Sequence, residues 1–228
     1  MNVRQSSLVA AIVIVASAIG ARAQGAAAEA PAYVPVAAQS SLSFSGTQQG
    51  EKFTGVFRDF DARIAYAPDQ LPSSHIDVTI RLKSLDSKSP DRDSTLAGAD
   101  WFDFAKFPTA TFRAATIRLT AAGPVGDADL TIKGRTKRIA FPFTWKNDSG
   151  KAVLDARVTL DRLDFGVGAG EWADESVAGR KVDVLVHLVL AAAPAASVAV
   201  PPAAPAKPAA PASGASAPKH SSEPARPR

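Results

Sequence analysis

Apolar and polar residues alternate along most of the chain, and this period of two predicts β-strands with one buried face. Residues 76–83, for example, read IDVTIRLK, with an apolar side chain at every second position. Turn-forming residues such as the Asn-Asp-Ser-Gly run at 147–150 separate the alternating stretches. The pattern predicts eight strands, at residues 42–48, 53–66, 76–83, 110–120, 125–133, 139–146, 152–161 and 182–190.

Two stretches interrupt the alternation, residues 90–107 and 165–180, and each is long enough for a short helix or a folded loop. Eight consecutive strands with two insertions predict an all-β fold, an eight-stranded antiparallel barrel with one or two short helical insertions. Closure of such a sheet removes its exposed edges. A barrel of this size encloses either packed side chains or one small ligand, and the alternation does not distinguish the two.

The two ends of the chain differ from the alternating part. Residues 1–23 combine Arg4, a short apolar run and an Ala-Arg-Ala step before Gln24, which predicts a cleaved secretory signal peptide and a periplasmic protein. From residue 192 onward the chain consists mostly of Ala, Pro, Ser and Lys, a composition typical of a disordered tail. The predicted organisation is a signal peptide at 1–23, a barrel domain at 24–191 and a tail at 192–228.

The charge and composition of the barrel domain exclude several kinds of chemistry. The whole chain has a formal charge of +4, but the signal peptide carries +2 and the tail +3, so the domain carries −1 and no nucleic-acid partner is expected. The chain contains no cysteine, which rules out disulfides and thiol catalysis. His75 and His187 both fall on the polar side of their strands. Without a third ligand at suitable spacing, no metal site and no cofactor are expected.

The insertion after the third predicted strand is rich in aspartate and aromatic residues. Four aspartates could in principle supply an acid and a base, as in glycosidases, but the commoner role of Asp in loops is to cap helices and turns. Asp91 or Asp93, just before Ser94-Thr95-Leu96, fits a helix N-cap. We therefore expect the insertion to be a lid, with its rings folded over the barrel interior. The residues concerned are Asp91, Asp93, Asp100 and Asp103, and the rings of Trp101, Phe102, Phe104 and Phe107.

Five short motifs occur in the order and spacing of a known family. They are FTGVF at 53–57 followed by Phe60, DVTI at 77–80 with SLD at 84–86, RDSTL at 92–96 with WFD at 101–103 and FPTATF at 107–112, DLTIKG at 129–134, and DFG at 164–166. This pattern resembles the YceI-like family of exported polyisoprenoid-binding proteins, over about residues 33–193. Two positions differ from the family pattern: Thr95 stands where His is usual, and Trp101 where Phe is usual.

The resemblance implies a lipocalin-like barrel that binds, stores or transports a long-chain amphiphilic lipid in an apolar interior, without catalysis. The lipid would be of the polyisoprenoid, isoprenoid quinone or fatty acyl type, with its polar head near Arg92, Lys106 or Arg113. All eleven phenylalanines lie in the predicted domain, as core or as cavity wall. The candidate ligand-binding residues are Phe44, Phe57, Phe60, Ile80, Arg92, Trp101, Phe102, Phe107, Phe112, Phe141, Phe143 and Phe165.

Two other kinds of function remain open at this stage. One is an interaction or stress-response module of the cell envelope, with the tail as a spacer to a partner. The other, less favoured, is an enzyme that uses the aspartates of the insertion. Partners expected for the lipid-binding function include a transient membrane contact and a homodimer formed through Leu185 and Val189, which are apolar residues on the polar side of the last strand.

Overall fold

The computed structural model describes residues 29–148 and 151–194. The predicted signal peptide, and residues 195–228 of the predicted tail, lie outside the described residues. Within the described ranges, no helix is both long enough and apolar enough to span a membrane.

The described residues form eleven strands, one α-helix and several short 3₁₀ turns. The 3₁₀ turns lie at Ala37–Gln39, Leu71–Ser73, Leu82–Ser84, Arg162–Phe165 and Gly170–Ala173. The helix, α1, is Pro90–Ala97. The strands are β1 (Ala32–Pro35), β2 (Ser41–Gln48), β3 (Glu51–Phe57), β4 (Phe60–Ala65), β5 (His75–Arg81), β6 (Leu85–Asp86), β7 (Thr109–Thr120), β8 (Gly123–Ile132), β9 (Arg135–Asp148), β10 (Lys151–Asp161) and β11 (Lys181–Ala192).

Eight of the strands form a closed antiparallel barrel, in the order β1, β4, β5, β7, β8, β9, β10 and β11. The short strand β1 completes the ring, because it pairs with β4 on one side and with the end of β11 on the other. The earlier part of β11, Asp183 to His187, pairs instead with β2, and β3 and β6 continue the sheet from there. The predicted closed barrel is therefore confirmed.

The single strand predicted over residues 53–66 is wrong, because the structure divides it into β3 and β4. The alternation changes phase between Phe57 and Phe60, which are three positions apart, so one continuous strand could not direct both rings to the same side. The break lets β3 pair with β2 and β6, while β4 pairs with β1 and β5. The pattern also missed β1 and β6, whose four and two residues are too few to show a period.

The half of the barrel around β1 is filled with side chains. Ile64, Ala152 and Leu190 are at most 1% exposed there. Tyr66 packs its ring 4.8 Å from that of Trp145 and 5.3 Å from that of Phe143. This half is a conventional core, and it holds the barrel closed where β1 pairs.

Candidate functional site

The other half of the barrel encloses an apolar cavity of about 180 Å³. Along β11, Leu190 is fully buried and lies outside the cavity wall, whereas Val182, Val184 and Val186 on the same face keep part of their surface exposed and line the cavity. Leu82, of the 3₁₀ turn after β5, also lies in its wall, together with twelve further strand residues, namely Leu42, Phe53, Ile76, Val78, Ala110, Leu130, Ile132, Ile139, Leu154, Val158, Leu160 and Leu188. The interior is thus a packed core at one end and an apolar cavity at the other.

Nine of the twelve candidate residues lie in the wall of this cavity. Arg92 lies in a neighbouring pocket, described below. Phe143 belongs to the packed half, and Phe107 lies against the turn at Gly134, so these two line neither space. The nine residues that line the cavity are Phe44, Phe57, Phe60, Ile80, Trp101, Phe102, Phe112, Phe141 and Phe165.

Helix α1 covers the mouth of the cavity with Leu96, which is buried. The helix begins at Pro90, a residue suited to the first turn because it has no N–H to satisfy. Its N-cap is Ser89, whose Oγ accepts the N–H of Arg92 at 3.4 Å. The expected N-cap at Asp91 or Asp93 is therefore wrong, and both carboxylates lie in the first turn, where the helix dipole favours them.

The loop that follows α1 places Trp101 and Phe102 over the cavity. Its backbone folds back on the helix, with the N–H of Phe102 donating to the carbonyl of Leu96 at 3.1 Å. Two of the aspartates accept backbone N–H groups on the two sides of α1: Asp93 accepts that of Ser87, before the helix, at 2.9 Å, and Asp103 accepts that of Lys106, in the loop after it, at 3.3 Å. Both carboxylates therefore stabilise the backbone, as expected for Asp in loops and turns, although neither is the N-cap of the helix.

The second insertion, residues 162–180, is organised by Arg162, a residue that sequence reasoning missed. Arg162 is 6% exposed, and within the described residues no carboxylate lies within ion-pair distance of it. Each of its five N–H donors reaches a backbone carbonyl, with Nε to Gly179 at 3.0 Å. Nη1 donates to Val167 and Gly168, and Nη2 to Trp172 and Ala178. Burial lowers the pKa of this guanidinium.

The hairpin turn between β8 and β9 joins the two insertions. Lys133 and Gly134 both have positive φ, 50° and 71°, as the two central residues of a type I′ turn require. This geometry lets Lys133 Nζ donate to the carbonyl of Asp100 and to that of Gly166, both at 3.0 Å. Burial lowers the pKa of Lys133. The turn thereby ties the first lid loop to the second over the mouth of the barrel.

A second space, here called the vestibule, lies between α1 and the second insertion and measures about 190 Å³. Arg92 forms part of its wall: Nε donates to Gln48 Oε1 at 3.0 Å, and the guanidinium lies 4.3 Å from the centre of the Phe53 ring. Lys106 and Arg113, also expected near a head group, line neither space. The residues common to the vestibule and the apolar cavity are Gly46, Phe53, Leu96, Trp101, Arg162 and Val182.

The two domain histidines lie away from both spaces. His75 and His187 are exposed, and His187 Nδ1 lies 2.6 Å from Asp155 Oδ1 on the outside of the barrel. In the part of the chain that the structure describes, no group of three or more His, Asp or Glu side chains could hold a metal ion.

Substitution of Gly55 by alanine is expected to destabilise the protein by about 1–3 kcal/mol, the usual cost of overpacking. Gly55 lies opposite Phe44 in the β2–β3 pair, and a Cβ at this position would lie 2.6 Å from Cε1 of that ring. Urea unfolding of G55A measures the loss. Gly46→Ala is the control, because its Cβ would meet Phe53 at 3.3 Å and should cost less. Equal stability of the two variants would contradict the tight contact.

A comparison with protein-family models matches residues 33–190 to the YceI-like domain. The curated relatives include the UPF0312 protein of Vibrio cholerae serotype O1, which is 33% identical over 148 residues, 60% of this chain and 78% of that protein. The UPF0312 protein of Pseudomonas putida strain F1 is 33% identical over 121 residues, which are 50% of this chain and 62% of its own length. The chain thus spans less than two thirds of that relative.

Solved structures show the same fold. The crystal structure of Burkholderia cenocepacia BcnA is 30% identical and has a TM-score of 0.65, with 68% of this chain and 98% of that chain covered. A polyisoprenoid-binding domain from Saccharophagus degradans is 18% identical, with a TM-score of 0.56 and with 72% and 99% covered. Because the family model matches well over half of the residues, this chain belongs to the YceI-like family.

Proposed function

We propose that the protein binds a long-chain amphiphilic lipid of the polyisoprenoid, isoprenoid quinone or fatty acyl type, and carries or stores it without chemical change. The observation that carries the proposal is the apolar cavity in an otherwise packed barrel. Of the residues in its wall, Arg162 alone is charged, and its five donors are all engaged with backbone carbonyls. Such a wall favours the burial of an apolar chain over that of a polar solute.

The cavity is large enough to hold part of an apolar chain without any movement of the protein. At about 180 Å³ it exceeds the engineered cavity of about 150 Å³ that takes up benzene, so at least a ring or a branched chain end enters before any side chain moves. Burial of each methylene contributes roughly 0.8 kcal/mol, so ten buried groups contribute on the order of 8 kcal/mol before ordering costs. A carrier needs no more affinity than this.

The family assignment supports the same proposal. The S. degradans protein is a polyisoprenoid-binding domain, and it shares its fold with this chain. We place the protein in the periplasm on the strength of the predicted signal peptide. A homodimer and a transient membrane contact stay predictions. Leu185, on the outer face of β11, is 38% exposed and would take part in either.

Organic extraction of the purified, periplasmically expressed protein, followed by mass spectrometry, tests the proposal. We expect one long-chain amphiphile at near-stoichiometric yield, and its length shows how far the barrel opens around it. The same experiment is repeated after incubation with quinones and prenyl phosphates. If the extract is empty both times, the cavity is not a lipid site and an interaction function gains weight.

A further inference from the structure

Trp101 has a buried hydrogen-bond donor, Nε1, that no group of the described residues satisfies. Among the described residues, two buried side-chain polar atoms lack a partner, Gln70 Oε1 and Trp101 Nε1. A buried donor without an acceptor costs roughly 1–3 kcal/mol. Buried donors without a protein partner are rare in natural proteins and are usually satisfied by a water, an ion or a ligand. Here the donor belongs to a residue that lines the proposed binding site.

The indole of Trp101 stands where the apolar cavity meets the vestibule, and it lines both. The ring of Trp172 packs edge-on to it at 5.6 Å, and the guanidinium of Arg162 lies 5.3 Å from its centre. The benzene edge of the indole faces Gly168, where a Cβ would lie 3.0 Å from Cζ3 and Cη2. The ring is thus fixed by its benzene edge, and the pyrrole edge with Nε1 is on the other side.

The surroundings of this N–H favour a ligand oxygen. Two arginines, Arg92 and Arg162, line the vestibule with one carboxylate, that of Asp91, so the local charge is positive. The hydroxyl of Thr95 is already used, because it donates to the carbonyl of Asp91 at 2.9 Å. Of the six residues common to the two spaces, only Arg162 and Trp101 carry side-chain donors. Arg162 donates all five of its hydrogens to the backbone, so among these six residues Trp101 Nε1 is the donor left without a partner.

We infer that Trp101 Nε1 donates a hydrogen bond to an oxygen of the bound lipid's head group. The inference rests on the proposed lipid-binding function and narrows its ligand class. The lipid carries an acceptor oxygen, such as that of a ketone, quinone, ester or carboxylate, close to the first carbons of its apolar chain. The chain occupies the apolar cavity, and the remainder of the head occupies the vestibule beside Arg92.

The test uses two probes that differ in one group. Farnesylacetone carries a carbonyl near the end of a prenyl chain, and its partner is the hydrocarbon in which that carbonyl is a methylene. Both are titrated by equilibrium dialysis into the full mature chain, stripped of bound lipid, as wild type and as Trp101→Phe. Phenylalanine keeps an aromatic ring and removes the N–H. Trp145→Phe is the matched control, because it makes the same change in the packed half of the barrel, and Trp145 lines neither the cavity nor the vestibule.

We expect W101F to bind the ketone roughly three- to tenfold more weakly than wild type, the effect of one hydrogen bond, while its affinity for the hydrocarbon stays unchanged. W145F should show no such difference between the probes. An equal loss of affinity for both probes would mean that Trp101 only packs against the ligand. No loss of affinity for either probe would mean that Trp101 does not contact the ligand. Both results overturn the inference. Wild type that binds the hydrocarbon without preferring the ketone also overturns it, yet leaves the lipid site intact. If wild type binds neither probe, the proposed function itself fails.

A second measurement covers the case in which W101F does not fold. In ¹⁵N-labelled wild-type protein, the ketone should shift the Trp101 indole N–H resonance downfield, and the hydrocarbon should not. The Trp145 indole is an internal reference, because its Nε1 already donates to Asn147 Oδ1 at 3.0 Å. An indole resonance that responds equally to both probes contradicts the inference.

Discussion

Replacement of Arg162 by methionine is expected to lower the free energy of unfolding by about 3–5 kcal/mol, because it breaks five buried hydrogen bonds and leaves their acceptors without a donor. The arginine satisfies five carbonyls of the second insertion, from Val167 to Gly179. Methionine is of similar length but has no donor, so these carbonyls would be left unpaired or would draw in water. The cost is that of the orphaned acceptors rather than of lost apolar burial.

Arg180→Met is the control for this prediction. Arg180 is 45% exposed and pairs with Asp161 at 2.7 Å and with Glu175 at 3.8 Å. Exposed ion pairs contribute about 0–1 kcal/mol, so R180M should lose far less than R162M. Arg162→Lys separates charge from geometry, because lysine keeps the charge but has three donors instead of five. We expect R162K to lie much closer to R162M than to wild type.

Thermal and urea unfolding of the four proteins provide the measurement, with a shift in midpoint for R162M on the order of 10 °C for a domain of this size. Amide hydrogen exchange should show the loss of protection concentrated in residues 162–180. If R162M unfolds within 1 kcal/mol of wild type, the insertion is held by other contacts, and the arginine would then have to be explained by the ligand.

The barrel was predictable because the alternation of apolar residues is a direct record of which face is buried. The prediction of strands from this alternation was most accurate where a strand keeps the same two neighbours along its length. For β10, the predicted bounds differ from those in the structure by one residue. The prediction failed at residues 58 and 59, where the alternation changes phase. There the chain passes from β3, which pairs with β2, to β4, which pairs with β5. It failed again at β1, which is recognisable only from its pairing.

The cavity was not predictable, because a filled core and an apolar cavity demand the same residues. Val184 and Leu190 occupy the same face of β11, yet one lines the cavity and the other is fully buried. Whether the interior is filled or left as a cavity depends on the combined volumes of the side chains from all the strands that face one another. The sequence of a single strand does not give that sum. Arg162, by contrast, left a signal: it continues the inward parity of Val158 and Leu160, and an arginine at an inward position needs many acceptors.

Substitution of Val184 by tryptophan should reduce bound lipid more than tenfold and leave the barrel folded. Val184 lies opposite Val158 on β10 and Phe44 on β2, and its side chain faces the cavity. An indole would occupy the space that we assign to the lipid chain. Exclusion of only two methylenes removes roughly 1.6 kcal/mol, which is more than a factor of ten in the dissociation constant.

Leu185→Trp is the matched control, since Leu185 is the next residue of the same strand but is 38% exposed on the outer face. The readout is the molar ratio of extracted lipid to protein, with urea unfolding as the test of integrity. L185W should retain the wild-type ratio. V184W should lose its lipid while its unfolding midpoint stays near that of wild type, because the ring enters an existing space instead of displacing packed neighbours. Folded V184W with a full complement of lipid would place the ligand outside the cavity and refute the binding mode.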